Sequence, residues 1–342
     1  MLIEEFRYTL TPENLEGTPR EIRLGRRDLG RLLVVNRKRA ERTVSTVVDL
    51  PKWLEPGDVL VLNNSKRIPG VLKGRTPRGG AVELRFVDLS DDSCGLCRIF
   101  PSHDIATGVV ITLKNDARIE VVETDVTKYG LTRVRPESGS LREILKAQGI
   151  PILGFFYEGL WNADHLNPFF ATEEGSVESP LAGLHFTPEL IAALDRAGVK
   201  VCFITLHSVG SWLPFLEENV EEHVMWSEFF RIPEETAAAI NDTHANGHRI
   251  LACGSTSLRA LESAPNGNGQ IKPVTDRTKL YITPGYKFKF VDSYFTNFHQ
   301  YQNSLIVLDA AFAGTELAME TYREASRLKY SFYEFGDAVL YL

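Results

Sequence analysis

Two hydrophobic patterns divide this chain, and they restrict its fold more than any other feature of the sequence. From Ile68 to Gly149, short runs of alternating apolar and polar residues are separated by turn signals such as Pro77-Arg78-Gly79-Gly80. From Ser179 onward, apolar runs of strand length alternate with segments of helical character. Evenly spaced short strands predict a small antiparallel barrel or sandwich, whereas strand–helix alternation predicts a layered α/β domain. We therefore expect a β domain inserted within an α/β chain.

Local signals predict the individual elements. Thr187, Pro188 and Glu189 have the residue types of a helix start, because a hydroxyl cap precedes a proline and an acid. Similar signals predict helices over 233–245, 254–262 and 315–328, the last with Thr315 as its cap. Apolar runs predict strands at 31–35, 58–62, 199–206, 250–253, 280–282 and 305–308.

Composition narrows the class of protein. The 342 residues are enough for two domains, and a net charge of −7 does not itself predict nucleic-acid binding. A basic cluster between Arg20 and Arg42 is equally consistent with a solvated face or with phosphate contacts. The chain starts without the basic run and apolar stretch of a secretory signal, and no apolar run reaches the roughly 18 residues of a membrane span. With four cysteines in so long a chain, we expect a cytoplasmic protein that does not associate with membranes.

Cys94 and Cys97 form an isolated C-x-x-C pair within the β-rich stretch. A zinc site would need a second pair, and a redox site would need a following helix. The sequence therefore predicts two structural thiols here.

The segment from Cys253 to Arg259 combines a strand end, a glycine turn and hydroxyl residues that open a helix. In such a turn, free N–H groups and the positive end of the helix dipole face one point, where a carboxylate or phosphate binds well. A helix that simply caps itself with Ser255 or Thr256 is an equally good interpretation of these residues.

Four histidines follow or precede predicted strands of the α/β region: His185, His207, His223 and His299. Ligands bind beyond the carboxyl ends of strands in such sheets, so this grouping favours a functional site. No two of the histidines have the spacing of metal ligands, and we expect no metal. Asp337 adds a carboxylate near the C-terminus, with a turn aspartate as the alternative.

Several phrases of the chain then occur together in one order: Ala182-Gly183-Leu184-His185-Phe186-Thr187, Thr205-Leu206-His207, Gly254-Ser255-Thr256-Ser257-Leu258-Arg259, Pro284-Gly285-Tyr286, Thr296-Asn297-Phe298-His299 and Gly336-Asp337-Ala338. In order and approximate spacing they resemble those of the S-adenosylmethionine:tRNA ribosyltransferase-isomerases, the epoxyqueuosine-forming enzymes of queuosine biosynthesis. The resemblance covers nearly the whole chain and is weakest in the β-rich stretch.

The resemblance implies an α/β/α layered domain formed by residues 1–66 and 150–342, with residues 67–149 inserted as a small antiparallel β-barrel. It also implies a reaction. The ribosyl group of S-adenosylmethionine, a co-substrate, would be transferred to the aminomethyl group of a 7-deazaguanine at the tRNA wobble position and isomerised, with release of adenine and methionine. We expect tRNA as the partner, and a monomer.

This chemistry needs a base for the C5′–H beside the sulfonium, a proton donor for adenine and a neutral acceptor amine. Our hypothesis assigns acid–base roles to His185, His207, Glu228 and Asp337. The expected S-adenosylmethionine-binding residues are Gly254, Ser255, Thr256, Arg259 and His299. Within this set, Arg259 would orient a carboxylate, and the turn from Gly254 to Thr256 would hold methionine's carboxylate or a phosphate. The expected substrate-binding residues are Asn63, Asn64, Ser65, Lys66 and Trp226.

Some positions depart from the family pattern. Asn64 replaces a carboxylate, Lys66 replaces an arginine and Trp226 replaces a histidine, and the aromatic residues gained are Phe155, Phe156, Phe169, Phe170, Trp226 and Tyr301. Because the loss of polar groups changes which substrate the site can recognise by hydrogen bonds, three alternative functions follow. The chain is a divergent enzyme with the family reaction, a paralogue that uses S-adenosylmethionine with a small-molecule nucleoside or nucleobase, or an inactive nucleoside- or tRNA-binding protein.

Overall fold

This computed structural model describes residues 1–91, 93–152, 161–210, 215–267 and 269–342, in which a run of strands is followed by strands that alternate with helices. The helices are α1 (Arg20–Leu24), α2 (Leu141–Gln148), α3 (Ala163–Leu166), α4 (Pro188–Arg196), α5 (Glu234–Ala245), α6 (Gly254–Ser263), α7 (Ser304–Ala313) and α8 (Thr315–Arg327). The strands are β1 (Arg31–Asn36), β2 (Glu41–Thr46), β3 (Val59–Asn63), β4 (Ser65–Arg67), β5 (Val71–Arg75), β6 (Ala81–Asp91), β7 (Cys94–Phe100), β8 (Val110–Leu113), β9 (Arg118–Glu123), β10 (Thr132–Pro136), β11 (Glu173–Ser176), β12 (Lys200–Leu206), β13 (Glu228–Ile232), β14 (Ile250–Cys253), β15 (Asn266–Gly267), β16 (Gln270–Ile271), β17 (Val274–Thr278), β18 (Ser293–Asn297) and β19 (Ala338–Tyr341). Short 3₁₀ segments lie at Ile3–Phe6, Pro12–Asn14, Arg27–Leu29, Val47–Trp53, Lys114–Asp116, Leu181–His185 and Val220–Glu222.

Strands from both ends of the chain form a nine-stranded sheet within the described residues, in the order β17-β13-β12-β3-β14-β18-β19-β1-β2. The neighbours β12, β3, β14 and β18 run parallel to one another. Their carboxyl ends therefore lie along one edge of the sheet. Because β18 and β19 are antiparallel, with Asn297 opposite Ala338, the start of β19 lies at the same edge.

Alternate residues of the central strands pack on opposite faces of the sheet. In β3, Val59 and Val61 join the core formed with α5, α6, α7 and α8, whereas Leu60 and Leu62 join the core formed with α4 and the 3₁₀ segment Val47–Trp53. Both faces are covered, as expected for a sheet whose central strands are parallel. The predicted α/β/α layered architecture is confirmed.

The β-rich stretch forms a closed antiparallel barrel in the order β10-β7-β6-β5-β8-β9. Its interior is filled by apolar side chains such as Leu84 and Val134, and α2 packs against it through Leu141 and Leu145. The predicted barrel is confirmed, whereas its boundaries at 67 and 149 stay a prediction. Both cysteines of β7 are free thiols, and the buried Cys97 belongs to the barrel core.

Three predictions about single elements were wrong. Residues 305–308 form part of α7 and not a strand, since the Asn303 side chain accepts a hydrogen bond from the Leu305 N–H at 3.0 Å and caps a helix. A short apolar run fits a buried strand and a buried helix equally well. Residues 280–282 are not a strand: no strand in the described part of the chain pairs with them, and the Leu280 carbonyl accepts from Arg259 Nε at 2.8 Å. Thr315 is the first residue of α8 and not its cap, which is Gly314. By contrast, Thr187 caps α4 as predicted, accepting from the Leu190 N–H at 3.2 Å.

No helix in the described ranges combines the length and the apolar character needed to cross a bilayer.

Replacing Leu251 with alanine is expected to lower the free energy of unfolding by about 2–5 kcal/mol, because it leaves a cavity around a fully buried side chain of β14. Urea denaturation followed by circular dichroism measures the effect. Leu216→Ala is the matched control, since that side chain is 56% exposed and its loss should change stability by less than about 0.5 kcal/mol. Equal losses in both variants would contradict this account of the sheet core.

Candidate active site

A cavity of about 240 Å³ opens where the carboxyl ends of β3, β14 and β18 face the barrel. Open α/β sheets bind ligands at this edge. The lining comprises Asn63, Arg67, Arg85, Ile152, 178–183, Ser208, 253–256, 296–300, Asn303, Leu305, Tyr333 and Glu334. Of the residues predicted from the sequence, the cavity brings together Asn63, Gly254, Ser255, Thr256 and His299.

Asn63 ends β3 and connects three neighbouring segments at the cavity floor. Its Nδ2 donates to the Leu206 carbonyl at 2.9 Å and to Thr256 Oγ1 at 3.0 Å. Its Oδ1 accepts from the N–H groups of Ser65 and Leu206, both at 3.0 Å. An asparagine amide has two N–H donors and one carbonyl oxygen with two lone pairs, so the protein itself uses this group fully. Asn63 therefore fixes the shape of the sheet edge.

The first turn of α6 forms another wall of the cavity. Gly254 has a φ of +80°, a backbone conformation that residues with a side chain rarely adopt. A Cβ added there would lie 3.4 Å from the Ala182 side chain. Cys253 is the N-cap, and no side chain caps the helix start. Because the first-turn N–H groups have no acceptor inside the helix, they suit an anionic ligand. The alternative of a helix capped by its own Ser255 or Thr256 does not describe this turn.

His299 is the predicted histidine that lines the cavity. Its Nε2 lies 3.0 Å from the Thr296 hydroxyl and 3.9 Å from Asp309 Oδ1, and its backbone N–H donates to the Tyr322 hydroxyl at 3.0 Å. Burial lowers the pKa of the imidazole to about 3. The ring is therefore neutral at pH 7, so one of its nitrogens donates and the other accepts.

His207 and Ser65 lie outside the cavity lining and form a hydrogen bond with each other. The Ser65 hydroxyl is 2.8 Å from His207 Nδ1, and the ring stacks on Phe229 with centroids 5.2 Å apart. Burial, followed by the charges of Arg142 and Arg231, lowers the pKa of His207 to about 4. The neutral ring supports β4 beside the cavity.

His185 and Asp337 are buried near Arg20, also outside the lining. Asp337 accepts from the N–H groups of Arg31 at 2.9 Å and Ser331 at 2.8 Å. Burial raises the pKa of its carboxyl, although these bonds oppose the shift. Burial and the Arg20 charge hold the pKa of His185 well below 6.5. Asp337, directly before β19, therefore ties the start of β1 to the start of β19.

Glu228 and Arg259 form a buried ion pair between β13 and α6. Glu228 Oε1 also accepts from the Val209 N–H at 3.1 Å, and Arg259 Nε donates to the Leu280 carbonyl at 2.8 Å. Neither side chain lines the cavity. The two residues therefore bind each other and the neighbouring backbone.

Asn64 and Trp226 also lie outside the lining. Asn64 Oδ1 accepts from the Thr205 hydroxyl at 2.7 Å on β12. Trp226 packs on Tyr129 of the barrel region, with ring centroids 5.6 Å apart. Each of these predicted substrate-binding residues contacts a neighbouring element of the fold.

Lys66 lines a second, more open groove beside the first cavity. Its Nζ lies 3.6 Å from a Glu174 carboxylate oxygen. Arg26, Arg27 and Phe169 line the same groove. The substrate-binding role predicted for Lys66 would therefore act at a different surface from that of Asn63.

A carboxyl group that was not predicted from the sequence reaches the cavity. Glu334 lines it together with Arg67 and Glu178. Burial raises the pKa of Glu334 to about 7, with Arg67 lowering it and Glu178 raising it further. It follows Tyr333, whose φ of 73° is uncommon for a bulky residue. A carboxyl group with a pKa near 7 in a cavity is a candidate acid or base. Glu334 stands three residues before Asp337, but a sequence does not report its burial.

Comparison with known proteins places the whole chain in one family. The family model described as Queuosine biosynthesis protein matches residues 3–341. The chain belongs to this family. Curated relatives named S-adenosylmethionine:tRNA ribosyltransferase-isomerase match it end to end. That of Aquifex aeolicus (strain VF5) is 40% identical over all of both chains, and that of Trichlorobacter lovleyi is 35% identical over 99% of each. The Thermotoga maritima relative of that name is 35% identical over all of both chains.

A solved structure extends the likeness to the fold. The crystal structure of S-adenosylmethionine tRNA ribosyltransferase from Thermotoga maritima is 30% identical to this chain, with a TM-score of 0.56. The match covers 99% of this chain and 100% of that one. The queuosine biosynthesis family is thus supported by both sequence and structure.

The departures from the family pattern named above lie outside the cavity lining wherever they fall in the described residues. Asn64, Lys66 and Trp226 lie outside its lining, as do Phe169 and Tyr301. Phe170, also outside it, packs on Phe203 with centroids 5.4 Å apart, whereas Phe155 and Phe156 lie outside the described residues. End-to-end relatives with one enzyme name do not favour the paralogue or the inactive binding protein.

Proposed function

We propose that this protein transfers the ribosyl group of S-adenosylmethionine to the aminomethyl group of 7-aminomethyl-7-deazaguanine in tRNA and isomerises it, giving epoxyqueuosine with release of adenine and methionine. The observation that carries the proposal is the end-to-end match to relatives named for this transfer and isomerisation. The cavity at the carboxyl edge of the sheet supplies a place for the reaction.

The residues that would hold S-adenosylmethionine are those of the first turn of α6. Gly254, Ser255 and Thr256 line the cavity, and their helix start lacks a side-chain cap. Uncapped N–H groups suit the methionine carboxylate. His299, neutral at pH 7, offers a hydrogen bond without a competing charge. Bound S-adenosylmethionine supplies a sulfonium that acidifies the neighbouring C5′–H and a ribosyl carbon from which adenine can leave.

Glu334 is the residue we propose for proton transfer at the reacting centre. With a pKa of about 7, its ionised and protonated forms are both populated at neutral pH. One carboxyl group can therefore take up a proton and return it. Burial favours the protonated form most strongly, the Arg67 charge opposes it and the Glu178 charge adds to it.

The acid–base roles predicted for His185, His207, Glu228 and Asp337 become positioning roles in this proposal. All four lie outside the cavity lining. Asp337 holds two backbone N–H groups, His207 holds Ser65, and Glu228 holds Arg259 of α6. His207 would thereby fix β4 and Glu228 would fix α6, and both of these elements carry cavity residues. His185 packs on Phe295 of β18, which also carries cavity residues, with ring centroids 5.5 Å apart.

The setting of the reaction follows from its substrate. A tRNA-modifying enzyme acts where tRNA is present, so we propose a cytoplasmic protein. Action as a monomer and without a metal ion stay predictions from the sequence. In the ranges that the structure covers, no three His, Cys, Asp or Glu side chains are grouped to hold a metal ion.

The proposed function predicts that the pure protein releases adenine and methionine from S-adenosylmethionine only when tRNA carrying the aminomethyl-deazaguanine is present. Mass spectrometry measures both products and the matching gain in mass of the RNA. The control is the same tRNA with guanine at the wobble position, which lacks the acceptor amine and should give no release. Release without tRNA, or with a free nucleobase alone, would contradict the proposal and favour a small-molecule acceptor.

A further inference from the structure

The cavity continues onto the outer surface of the barrel through one arginine. Arg85 of β6 lines the cavity and points outward from the barrel, since its strand neighbours Leu84 and Phe86 fill the barrel core. On the adjacent strand, Arg98 lies directly opposite Arg85, and Phe100 lies two residues further along. Alternate residues of a strand share a face, so Arg85, Arg98 and Phe100 form one outward surface, here called the Arg–Phe face.

The Arg–Phe face holds more positive charge than its neighbours neutralise. Like charges directly opposite each other on paired strands are destabilising. Arg85 Nε is 2.6 Å from a Glu83 carboxylate oxygen, which offsets one charge. Within the described residues Arg98 has no carboxylate partner. In a chain with a net charge of −7, such a local excess of positive charge favours an anionic partner.

Phe100 gives the face a second kind of contact. Its side chain is 40% exposed, and the guanidinium carbons of Arg98 and Arg85 lie 5.1 and 5.9 Å from the ring centroid. An exposed ring between guanidinium groups is a surface on which a nucleobase stacks while the arginines contact phosphates. An acidic peptide would use the two charges but would leave the exposed ring without a specific role.

We propose that the Arg–Phe face binds the nucleotides adjacent to the wobble position in the anticodon loop of the substrate tRNA. This inference rests on the proposed function, because it needs a tRNA whose wobble base enters the cavity. Arg85 lies at both surfaces, so a nucleotide next to the buried base meets the face without crossing other parts of the protein. Phe100 stacks one base, and Arg98 contacts a phosphate.

The test compares Arg98→Ala and Phe100→Ala with the control Arg118→Ala. Arg118 lies on β9, opposite β6 around the barrel, and its side chain is 54% exposed. Binding of tRNA carrying the aminomethyl-deazaguanine is measured by fluorescence anisotropy at several salt concentrations. Phe100→Ala should weaken binding about five- to a hundredfold, as the loss of one stacked base does. Arg98→Ala should also weaken binding, and it should reduce by about one the magnitude of the slope of the logarithm of the association constant against the logarithm of the salt concentration. Phe100→Ala should leave this slope unchanged.

Binding of S-adenosylmethionine by calorimetry verifies that each variant is folded. If both variants bind the tRNA as the wild type does, or if Arg118→Ala loses as much as Arg98→Ala, the Arg–Phe face is not the binding surface and the proposed function is unaffected. If the wild type binds no tRNA, or releases adenine and methionine without it, the proposed function fails and this inference fails with it.

Discussion

A Glu334→Gln variant should lose about 10²- to 10⁴-fold in kcat for adenine release, because the amide cannot accept the proton that the carboxylate takes up. Glu334 lines the cavity, and burial raises its pKa to about 7. If the ionised form is the base, the wild-type kcat/KM should rise with pH up to about 7 and then level off. The variant should lack this rise. Product release is measured by mass spectrometry between pH 5 and pH 9.

The neighbours of Glu334 predict where the rise in rate occurs. Glu178 raises the pKa of Glu334, so Glu178→Gln should move the rise to lower pH. Glu41, an exposed residue of β2, provides a matched Glu→Gln control that should change neither rate nor profile. A Glu334→Gln variant with the full wild-type rate and an unchanged pH profile would exclude Glu334 as the base.

The stability of the same variant separates catalysis from structure. The folded-state pKa of Glu334 lies above the ordinary value of 4.5, so the protonated carboxyl stabilises the fold. That contribution is complete below pH 4.5 and is lost as the pH rises through about 7. Glutamine resembles the protonated acid, so at pH 8 the variant should unfold at a temperature no lower than that of the wild type. A large loss of Tm would instead point to a structural role.

Much of the architecture could be predicted because it follows from local patterns. The change from a period of two to strand–helix alternation marks the barrel and the α/β layers before any contact is known. The failures occurred where one local pattern allows two structures. Residues 305–308 are apolar on every side, so only the cap at Asn303 distinguishes the helix from a strand. At 280–282, Arg259 of α6 donates a hydrogen bond to the Leu280 carbonyl. This contact comes from a distant part of the sequence, so a local pattern cannot predict it.

The candidate site could be predicted only in part. The turn at Gly254 and His299 could be predicted from their places near strand ends, whereas Asn63 was predicted through the family resemblance. Glu334 was not, because its pKa depends on burial and on Arg67, which is far away in sequence. The four proposed acid–base residues were recognised as unusual polar groups, but a sequence does not distinguish a group facing a cavity from one facing the interior.

Removing one partner of the Glu228–Arg259 ion pair is expected to lower the free energy of unfolding by about 3–5 kcal/mol, because the other charge is then left buried and uncompensated. Both side chains are at most 5% exposed. Glu228→Leu and Arg259→Met are the single variants, and urea denaturation measures each of them and the double variant.

The double variant decides between a structural and a catalytic role for this pair. Replacing both charges with apolar side chains of similar size removes the uncompensated charge, so the double variant should recover most of the stability lost in either single variant. A stable double variant that still releases adenine with tRNA would show that the pair positions α6 and does not react. A stable but inactive double variant would restore the original hypothesis, in which Glu228 transfers a proton and Arg259 orients a carboxylate.

Because Glu228 also accepts from the Val209 N–H, the additional variant Glu228→Gln keeps an acceptor there while losing the charge. Its activity at matched stability separates the loss of charge from the loss of this hydrogen bond.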